Sequence, residues 1–419
     1  MTDYLEEEVY LQSKSKIQDY EPVVGRSYLE ELRMLGDRLS GKIIQTINST
    51  YVGGGVAEIL NHMVPLLNQL GVDVRWNVIK GSTEFFDVTK KFHNAIHGKE
   101  EKITRGEFSL FLEVSQRNMD EMDFFGDILF IHDPQPVALV GKKKQIGGKW
   151  IWRCHIDVSN PNRKVWNFLR QFVLQYDATI FSSPNFARQL PMSQFLVPPA
   201  IDPLSDKNKE LPRHTIDSVL NKYGLDGDKP MIVQISRFDY LKDPIGVIAA
   251  FERVKKNIDC QLVLAGGTAT DDPESEQVLS EVMERAAGNP DIHILLLPPR
   301  SDIEINALQR AATVIMQKSL KEGFALTVSE ALWKRKPVVA SAVGGIPLQI
   351  RHRLTGLLCH SIDGAVYALR QLLTNPGYAN WLGENGREHV RHNFLIPRQL
   401  RDYMLIFLTL GSSEDVIYL

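Results

Sequence analysis

The chain has 419 residues and a formal net charge of −3, with 43% of its residues hydrophobic and 24% charged. This balance is typical of a soluble globular protein, and the length favours two or three domains because single hydrophobic cores rarely extend beyond ~250–300 residues. The small net charge excludes an overall basic field for nucleic acid, and three widely separated cysteines exclude a disulfide framework and a zinc ribbon.

The sequence shows no segment that would direct the chain into a membrane or out of the cell. The opening MTDYLEEEVY lacks the basic and apolar regions of a signal peptide, and no apolar run approaches the ~18 residues that suggest a membrane span. We therefore expect a cytoplasmic protein whose partners are small molecules, with no role for nucleic acid or a membrane.

The first half of the chain alternates short apolar runs with helical segments. Residues 1–40 are polar and predicted to be helical, and the triplet Gly53, Gly54 and Gly55 follows the first apolar run and opens a helix. The predicted strands of this half are KIIQTINS, VDVRWNVI, DILFIHD, KWIWRCHID and ATIFSSP. Because strands that alternate with helices form parallel sheets covered on both faces, this half is predicted to be an α/β domain.

A change in composition separates the two halves. Residues 197–213, VPPAIDPLSDKNKELPR, are rich in Pro, Asp, Lys and Asn and are predicted to link two domains. The strands predicted after this linker are MIVQISRF, CQLVLAGG, IHILLLPP, TVIMQ, PVVAS and TGLLC. Ligands of such sheets bind at the carboxyl ends of the strands, so two facing sheets would place the site in the cleft between the domains.

The glycine triplet is the first candidate for ligand binding. Glycines after a strand allow the backbone to approach a phosphate closely, and the helix that follows offers free N–H groups. As a G-x-G-x-x-G fingerprint the pattern fails, because its last position is Glu58, although Asp73 has the spacing of a ribose-binding acid. A tight turn without a ligand and a weak dinucleotide site both remain open at this point.

Two cations and two acids in the second half form a more specific pattern. Arg237 closes a predicted strand and Lys242 follows five residues later, a combination suited to a diphosphate. In EGFALTVSE, Glu322 precedes a helix predicted to begin near Leu326, and Glu330 lies on its first turns, ~12 Å further along at helical rise. Two solvated cations and two acids that stabilise a helix dipole are the alternative interpretation.

Two histidines at predicted strand ends are further candidates. His132 lies in IHDPQP and His155 in RCHID, and each could hydrogen-bond a sugar hydroxyl, with Asp133 and Asp157 close enough in sequence to orient them. For either histidine alone, a structural role in the core or a loop is the simpler interpretation.

Together these motifs resemble the retaining GT-B glycosyltransferases of family 4, over nearly the whole chain. The stretches INSTYVGGGVAEILNHMVPLLNQLGVDVRW, IHDPQP, WRCHIDVSNPN and PPAIDPLSDKN resemble the trehalose glycosyl-transferring synthases of that family, which join a nucleotide-activated glucose to free glucose. The resemblance implies two Rossmann-like, doubly wound domains that face each other across a deep cleft. The N-terminal, acceptor-side domain would comprise residues 1–205 and a crossover helix within 396–419, and residues 214–395 would bind the nucleotide sugar.

The resemblance also implies residue roles. Glu322 would hold hydroxyls of the donor glucose, Arg237 and Lys242 would neutralise the diphosphate, and His155 would lie beside the transferred glucose. Glu330 would bind the ribose, and the base would lie near Leu297 to Arg300. The donor-binding residues implied in full are Gly54, Gly55, Gly323, Phe324, Ala325, Leu326, Thr327, Glu330, Leu297 and Arg300. His132 and Asp133 are weaker candidates for the acceptor side.

The resemblance implies front-face transfer with retention, and the sequence offers no carboxylate that can be assigned as the nucleophile of a double displacement. The donor would be ADP-, UDP- or GDP-glucose and the product α,α-trehalose in a reversible reaction. No cofactor and no protein-bound metal are required, although Mg²⁺ on the nucleotide could assist, and a homodimer stays open. Another acceptor such as a sugar phosphate or fructose, an NAD-dependent dehydrogenase, and a non-catalytic sugar-nucleotide sensor are the alternatives.

Overall fold

The computed structural model describes residues 15–52, 54–267 and 273–411. The chain divides into two compact units, of which unit 1 comprises Met1–Pro199 with Ile396–Leu419 and unit 2 comprises Ala200–Leu395. The boundary lies inside the stretch predicted to be a linker, and residues 200–213 belong to unit 2. Gly53 and residues 412–419 lie outside the described residues.

Unit 1 is built on a six-stranded parallel sheet. Its strands are β1 (Ile43–Asn48), β2 (Asp73–Val78), β3 (Ile128–His132), β4 (Lys149–Cys154), β5 (Ala178–Phe181) and β6 (Ser193–Leu196). They are ordered β2-β1-β3-β4-β5-β6, so the order reverses between β1 and β3. The edge strand β6 was not predicted from the sequence, because its residues SQFL mix polar and apolar side chains and form no apolar run; in the structure none of them is fully buried.

Helices cover this sheet on both faces. The α-helices of unit 1 are Glu21–Val24, Arg26–Arg38, Gly54–Gln69, Thr83–Ile96, Arg105–Glu121, Lys143–Ile146, Arg163–Val173 and Ile396–Gly411, and the 3₁₀ helices are Ile17–Tyr20, Val137–Lys142 and Pro184–Phe186. Capping in the sequence sets several starts. Before Arg105–Glu121, for example, Thr104 and Glu107 form a reciprocal capping box.

Alternation along β4 and β3 distributes the core of unit 1 over both faces of its sheet. Trp150 and Trp152 on β4 belong to a buried cluster with side chains of the helices Thr83–Ile96, Arg105–Glu121 and Arg163–Val173. Phe130 on β3 packs on the opposite face against Tyr403 and Phe407 of the last helix, with ring centroids 5.1 and 5.6 Å apart. The C-terminal helix is therefore part of the core of unit 1.

Unit 2 repeats the architecture with its own parallel sheet. Its strands are β7 (Met231–Ile235), β8 (Gln261–Gly266), β9 (Ile292–Leu296), β10 (Val314–Gln317), β11 (Val338–Ser341) and β12 (Leu357–Cys359). Their order is β12-β11-β10-β7-β8-β9, the arrangement of a doubly wound Rossmann sheet with its switch point between β7 and β10. The predicted doubly wound α/β fold is thus confirmed in both units.

The helices of unit 2 precede, connect and follow its strands. They are the α-helices Arg213–Lys222, Pro244–Lys255, Pro273–Ala286, Asp302–Ala311, Leu326–Trp333, Ile346–Gln349, Ile362–Thr374 and Pro376–Asn393, with the 3₁₀ turn Tyr240–Lys242. In the part of the chain that the structure describes, no helix combines the length and apolar character needed to cross a membrane.

Candidate active site

The switch point of the unit 2 sheet gathers the charged residues that the sequence singled out. Arg237 and Lys242 follow β7, and Glu322 follows β10, the strand next to β7. Ligands of open α/β sheets bind where the carboxyl ends of two such strands diverge. The fold therefore brings Lys242 and Glu322 together although 80 residues separate them in sequence.

Lys242 and Glu322 form an ion pair within a polar chain. Lys242 Nζ lies 2.6 Å from Glu322 Oε2, and their side chains are only 18% and 10% exposed. Ser319 Oγ donates to the same carboxylate oxygen at 3.0 Å and accepts from Gln317 Nε2 at 3.0 Å, while Thr327 Oγ1 donates to Gln317 Oε1 at 3.3 Å. Glu322 is thus held in one position before any ligand binds.

A close backbone approach fixes the loop that carries Glu322. A Cβ atom placed on Gly344 would lie 1.7 Å from the carbonyl oxygen of Glu322, and Gly344 has a φ of +55°. Only glycine fits both the space and this left-handed conformation. In the same segment the N–H of Gly345 donates to the carbonyl oxygen of Gly323 at 3.0 Å.

The turn into the helix Leu326–Trp333 is conformationally strained. Ala325 has a φ of 67°, which is unfavourable for a residue with a Cβ atom. The buried side chain of Gln349 donates to the carbonyl oxygen of Phe324, and the Phe324 ring packs against Phe394 with centroids 5.6 Å apart. The helix begins at Leu326 as predicted, so the backbone from Gly323 to Thr327 leads into its positive end.

Arg237 is the most accessible member of this group. Its side chain is 63% exposed, and Nη2 lies 3.6 Å from Asp239 Oδ2. Burial raises the pKa of Asp239, while the charges of Lys242 and Arg237 oppose that rise. Asp239 also caps the 3₁₀ turn by accepting from the backbone N–H of Lys242 at 3.2 Å. Because Arg237 is so exposed, its guanidinium is available to an anion.

A second ion pair at the same edge was not predicted from the sequence. The ammonium of Lys318, directly after β10, pairs with Asp243, which has a φ of 48° and caps the helix Pro244–Lys255 through the N–H of Gly246. An Asp followed by Pro at the first helical position is a recognisable start signal that could have identified Asp243. Its pairing with Lys318 depends on the strand order and has no local signature.

Glu330 lies deeper in the unit than the loop residues. It is only 2% exposed, and Gln309 Nε2 donates to Glu330 Oε2 at 3.2 Å. One turn further on, the buried Lys334 donates through Nζ to Asn208 Oδ1 at 2.9 Å and to the carbonyl oxygen of Glu330 at 3.3 Å. Burial lowers the pKa of Lys334 from 10.5 to about 7, and the charge of Glu330 opposes this.

The residues proposed for the base lie elsewhere along the sheet. Leu297 follows β9 at the edge, and β8 separates that strand from β7. Leu297 is buried, whereas Arg300 is exposed with a φ of 66°. The structure therefore does not bring this pair directly beside the Lys242–Glu322 pair.

In unit 1, the glycine turn and Asp73, the candidate ribose-binding acid, do not lie at the same edge of the sheet. Gly54 and Gly55 begin the helix Gly54–Gln69 after β1. Asp73 is the first residue of β2 and pairs with Arg75, with Arg75 Nη2 2.9 Å from Asp73 Oδ2. A ribose-binding acid belongs at the carboxyl end of its strand, so the suggestion of a dinucleotide site that rested on Asp73 is wrong.

The two histidines lie side by side at the carboxyl edge of the unit 1 sheet. His132 ends β3, where its Nδ1 lies 3.1 Å from His155 Nε2 and its Nε2 lies 2.8 Å from Thr46 Oγ1. His132 is buried with both ring nitrogens engaged, whereas His155 is half-buried. Of the two histidines, His155 is therefore the one whose remaining ring nitrogen, Nδ1, makes no hydrogen bond to the described residues.

Asp133 supports His155 through the backbone. Asp133 has a φ of 65°, and its Oδ1 accepts from the backbone N–H of His155 at 2.7 Å. Burial raises the pKa of Asp133 to about 6, against the opposing hydrogen bond from His155 and the charge of Arg153. Asp157 instead accepts from the backbone N–H of Ser159 at 2.9 Å, so it caps a turn and does not orient a histidine.

A buried arginine lies close to both histidines. Arg153 Nη2 donates to Ser182 Oγ at 3.1 Å and to the carbonyl oxygen of Val197 at 2.6 Å, while Nε and Nη1 have no hydrogen-bond partner in the described part of the chain. Burial, and secondly the charge of Arg153, lowers the pKa of His132 to about 3 and that of His155 well below its usual value. Both imidazoles are therefore neutral near pH 7.

The side chains that could bind a metal ion do not cluster in the described part of the chain. Within residues 15–52, 54–267 and 273–411, no group of three or more His, Cys, Asp or Glu side chains is arranged to hold a metal ion. The three cysteines are buried and unpaired with one another.

Two family models match the chain, one in each unit. Residues 46–188 match the N-terminal domain of trehalose synthase, and residues 216–389 match the glycosyl transferases group 1. Among solved structures, an α,α-trehalose-phosphate synthase (UDP-forming) from Burkholderia xenovorans in complex with glucose-6-phosphate has the same fold. Its TM-score is 0.70 at 14% identity, covering 89% of this chain and 100% of that one.

Full-length relatives agree with the models. The trehalose synthase of Rubrobacter xylanophilus is 42% identical over 94% of this chain and 96% of its own length, and that of Pyrococcus horikoshii is 42% identical over 95% and 97%. Both units and the elements that carry the candidate site lie within these alignments. The chain belongs to the trehalose synthase family of glycosyltransferases.

Proposed function

We propose that the protein transfers glucose from a nucleoside-diphosphate glucose to free glucose, with retention, to form α,α-trehalose. The observation that carries the proposal is the Lys242–Glu322 pair at the switch point of unit 2, beside the exposed Arg237. Two cations suit a diphosphate, and a preorganised carboxylate accepts hydrogen bonds from sugar hydroxyls. Similarity to full-length trehalose synthases supports glucose and trehalose as the sugars.

In this proposal the donor lies along the loop and helix that follow β10. The hydroxyls of its glucose bind Glu322, and its diphosphate lies between Arg237, Lys242 and the backbone that leads into the helix at Leu326. Free N–H groups at a helix start favour an anion. Gly54 and Gly55 are proposed to approach phosphate or acceptor from unit 1, and Leu297 and Arg300 to lie near the base.

Ribose binding by Glu330 requires a local change. A carboxylate that is 2% exposed and already accepts from Gln309 can meet a ribose hydroxyl only if neighbouring side chains shift. Its depth nevertheless gives a fixed position, one helical turn beyond the proposed diphosphate site. Ribose binding by Glu330 is therefore a part of the proposal that is independent of the role proposed for Glu322.

The proposed step is a front-face substitution. The bond from the anomeric carbon to the leaving diphosphate oxygen breaks, the acceptor hydroxyl oxygen bonds to the same face, and its proton passes to the diphosphate. Arg237 and Lys242 stabilise the negative charge that develops on the leaving group. The acids Asp239, Asp243 and Glu322 are already engaged in capping or ion pairing, which supports a route without a carboxylate nucleophile.

No cofactor is part of this proposal, and Mg²⁺ enters only as an ion carried by the nucleotide. A second candidate within the fold transfers glucose to a sugar phosphate, since the structurally similar Burkholderia synthase was solved with glucose-6-phosphate. The two candidates differ in the acceptor alone.

Acceptor and donor screens test the proposal. ADP-, UDP- and GDP-glucose are each incubated with glucose, glucose 6-phosphate or fructose, and nucleoside diphosphate and non-reducing disaccharide are measured. We expect product with free glucose and at least one donor. Product with glucose 6-phosphate alone would replace the proposal by the second candidate, and no product with any pair would refute both. Calorimetry with NAD(H) should show no binding, because the ribose acid required of a dehydrogenase is misplaced.

A further inference from the structure

Three side chains from adjacent strands of unit 1 form a hydrogen-bonded chain. Thr46 on β1 lies 2.8 Å from Nε2 of His132 on β3, and Nδ1 of His132 lies 3.1 Å from Nε2 of His155, which follows β4. Thr46 and His132 are buried, and His155 is half-buried. The chain therefore leads from the interior of the sheet to its carboxyl edge, at His155, the residue that the family resemblance places beside the transferred glucose.

Packing holds the rings in this arrangement. The His132 ring lies 4.3 Å from the ring of Phe130, which itself packs against Tyr403 and Phe407 of the last helix. The rings of His132 and His155 are near parallel, at 21°. A rotation of either ring would break a hydrogen bond in a water-poor region, so the pairing of nitrogens is fixed.

Each ring carries one proton at neutral pH. Burial and, secondly, the charge of Arg153 disfavour the charged forms of both histidines. Asp133, the nearby acid, is directed to the backbone N–H of His155 and not to a ring nitrogen. The open question is therefore which nitrogen of each neutral ring carries the hydrogen.

The hydroxyl of Thr46 decides between the two directions. Its only hydrogen-bond partner among the described residues is His132 Nε2. If that nitrogen carried the hydrogen, the hydroxyl would accept it and its own buried hydrogen would have no acceptor among the described residues, which is unfavourable. If the hydroxyl donates, His132 Nε2 accepts and His132 Nδ1–H donates to His155 Nε2. Both buried hydrogens then have an acceptor, and the Nδ1–H of the half-buried His155 is left to donate to a ligand.

The geometry points to Thr46 and His132 as positioning residues that hold His155 as its neutral Nδ1–H tautomer, so that His155 donates to an acceptor oxygen of the bound sugar. The identity of the ligand as a sugar rests on the proposed function, whereas the tautomer is a property of the protein alone. A sugar hydroxyl oxygen would satisfy this donor, and an ammonium group at the same place would be rejected. His132 thereby acts through His155 and does not itself contact the bound sugar.

Nitrogen NMR of the ring nitrogens tests the tautomer without any substrate. The full chain is labelled with 15N in histidine, and two-bond proton–nitrogen spectra are recorded from pH 6 to 8. The His132→Asn and His155→Asn variants assign the two residues. We expect both to show a protonated Nδ1 and an unprotonated Nε2 that do not titrate in this range. An Nε2–H tautomer at either residue, or a charged ring at pH 6, would overturn the inference.

Two substitutions at Thr46 separate positioning from folding. Thr46→Ser keeps the hydroxyl and should retain the wild-type spectrum. Thr46→Val removes it, so that neither direction is preferred and both tautomers of His155 appear. An unchanged spectrum in Thr46→Val would contradict the assigned role. The valine variant keeps the shape of the side chain and removes only the hydroxyl, whereas the serine variant keeps the hydroxyl and serves as the control for substitution at this position.

A kinetic comparison tests the donor at the substrate. The amide of Asn coincides with the Nδ1 position of histidine and that of Gln with Nε2, so His155→Asn should keep the KM of the sugar nucleotide closer to wild type than His155→Gln. The loss of one hydrogen bond corresponds to an increase of about tenfold in the KM of the sugar nucleotide. Equal or better retention by the Gln variant would overturn the proposed contact. If the wild type transferred no glucose, the proposed function would fail, and the NMR result alone would decide the tautomer.

Discussion

The Lys242–Glu322 pair should contribute measurably to the stability of unit 2 in the absence of ligand. At 2.6 Å and an effective dielectric constant of about 20, the gross attraction is about 6 kcal/mol, most of which offsets desolvation. Lys242→Met leaves the Glu322 carboxylate, 10% exposed, with Ser319 as its hydrogen-bond donor. Fully buried pairs cost about 3–5 kcal/mol to break and exposed ones about 0–1, so we expect about 2 kcal/mol here.

A double-variant cycle measures the free energy of interaction between Lys242 and Glu322. Unfolding in urea is followed for wild type, Lys242→Met, Glu322→Gln and the double variant, at constant m value. The coupling free energy should be about 2 kcal/mol, because the second substitution removes the unpaired charge left by the first. The surface pair Arg26–Glu30, with side chains 79% and 52% exposed, is the matched control and should couple by less than about 0.5 kcal/mol. If Lys242 and Glu322 also coupled by less than about 0.5 kcal/mol, the view that the site is preorganised would be refuted.

Three further predictions concern the same structure. Gly344→Ala should destabilise the protein by more than about 2 kcal/mol and raise the KM of the donor, because its Cβ meets the Glu322 carbonyl oxygen. Gly224→Ala, at a φ of +64° but with no atom within 4 Å of its Cβ, is the control, and equal effects on unfolding would contradict the steric argument. Lys334→Met should stabilise the protein most below pH 7, where folding must bury a charged ammonium. Between about pH 7 and 10.5 the unfolded chain holds a proton on Lys334 that the folded chain has lost. The gain should shrink as the pH rises through that range in urea titrations, and a gain independent of pH would contradict the direction of the pKa shift. Glu322→Gln should lower turnover by more than about tenfold, while Asp73→Asn at an exposed ion pair should leave it unchanged; the reverse order in steady-state assays would invalidate the site assignment.

Local patterns in the sequence were enough to predict the strands and helices that position the unit 2 site. Apolar runs that end in Arg237 and before Glu322 became β7 and β10, and the helix began at Leu326 as its composition indicated. Periodicity and capping act over a few residues, so they can be recognised in a single sequence. The carboxyl-edge position of Arg237, Lys242 and Glu322 follows from the parallel sheet.

The contacts between strands could not be predicted in the same way. The pairs Lys318–Asp243 and Thr46–His132 depend on which strands become neighbours and on the register between them. The sequence predicts that strands exist but not their order, and a one-residue shift in register would turn each side chain to the other face. Asp73 shows a different limit, since its spacing from the glycines suggested a ribose site, although it is the first residue of β2 and lies at the amino end of that strand.

The most direct test of the proposed reaction follows the anomeric carbon of the donor. Nucleoside-diphosphate glucose labelled with 13C at C1 is mixed with the protein and unlabelled glucose, and the product is examined by 13C NMR. The proposal predicts a non-reducing disaccharide whose labelled carbon keeps the α configuration, together with one equivalent of nucleoside diphosphate. A labelled carbon in the β configuration, or release of labelled free glucose as the sole product, would contradict retaining transfer to glucose.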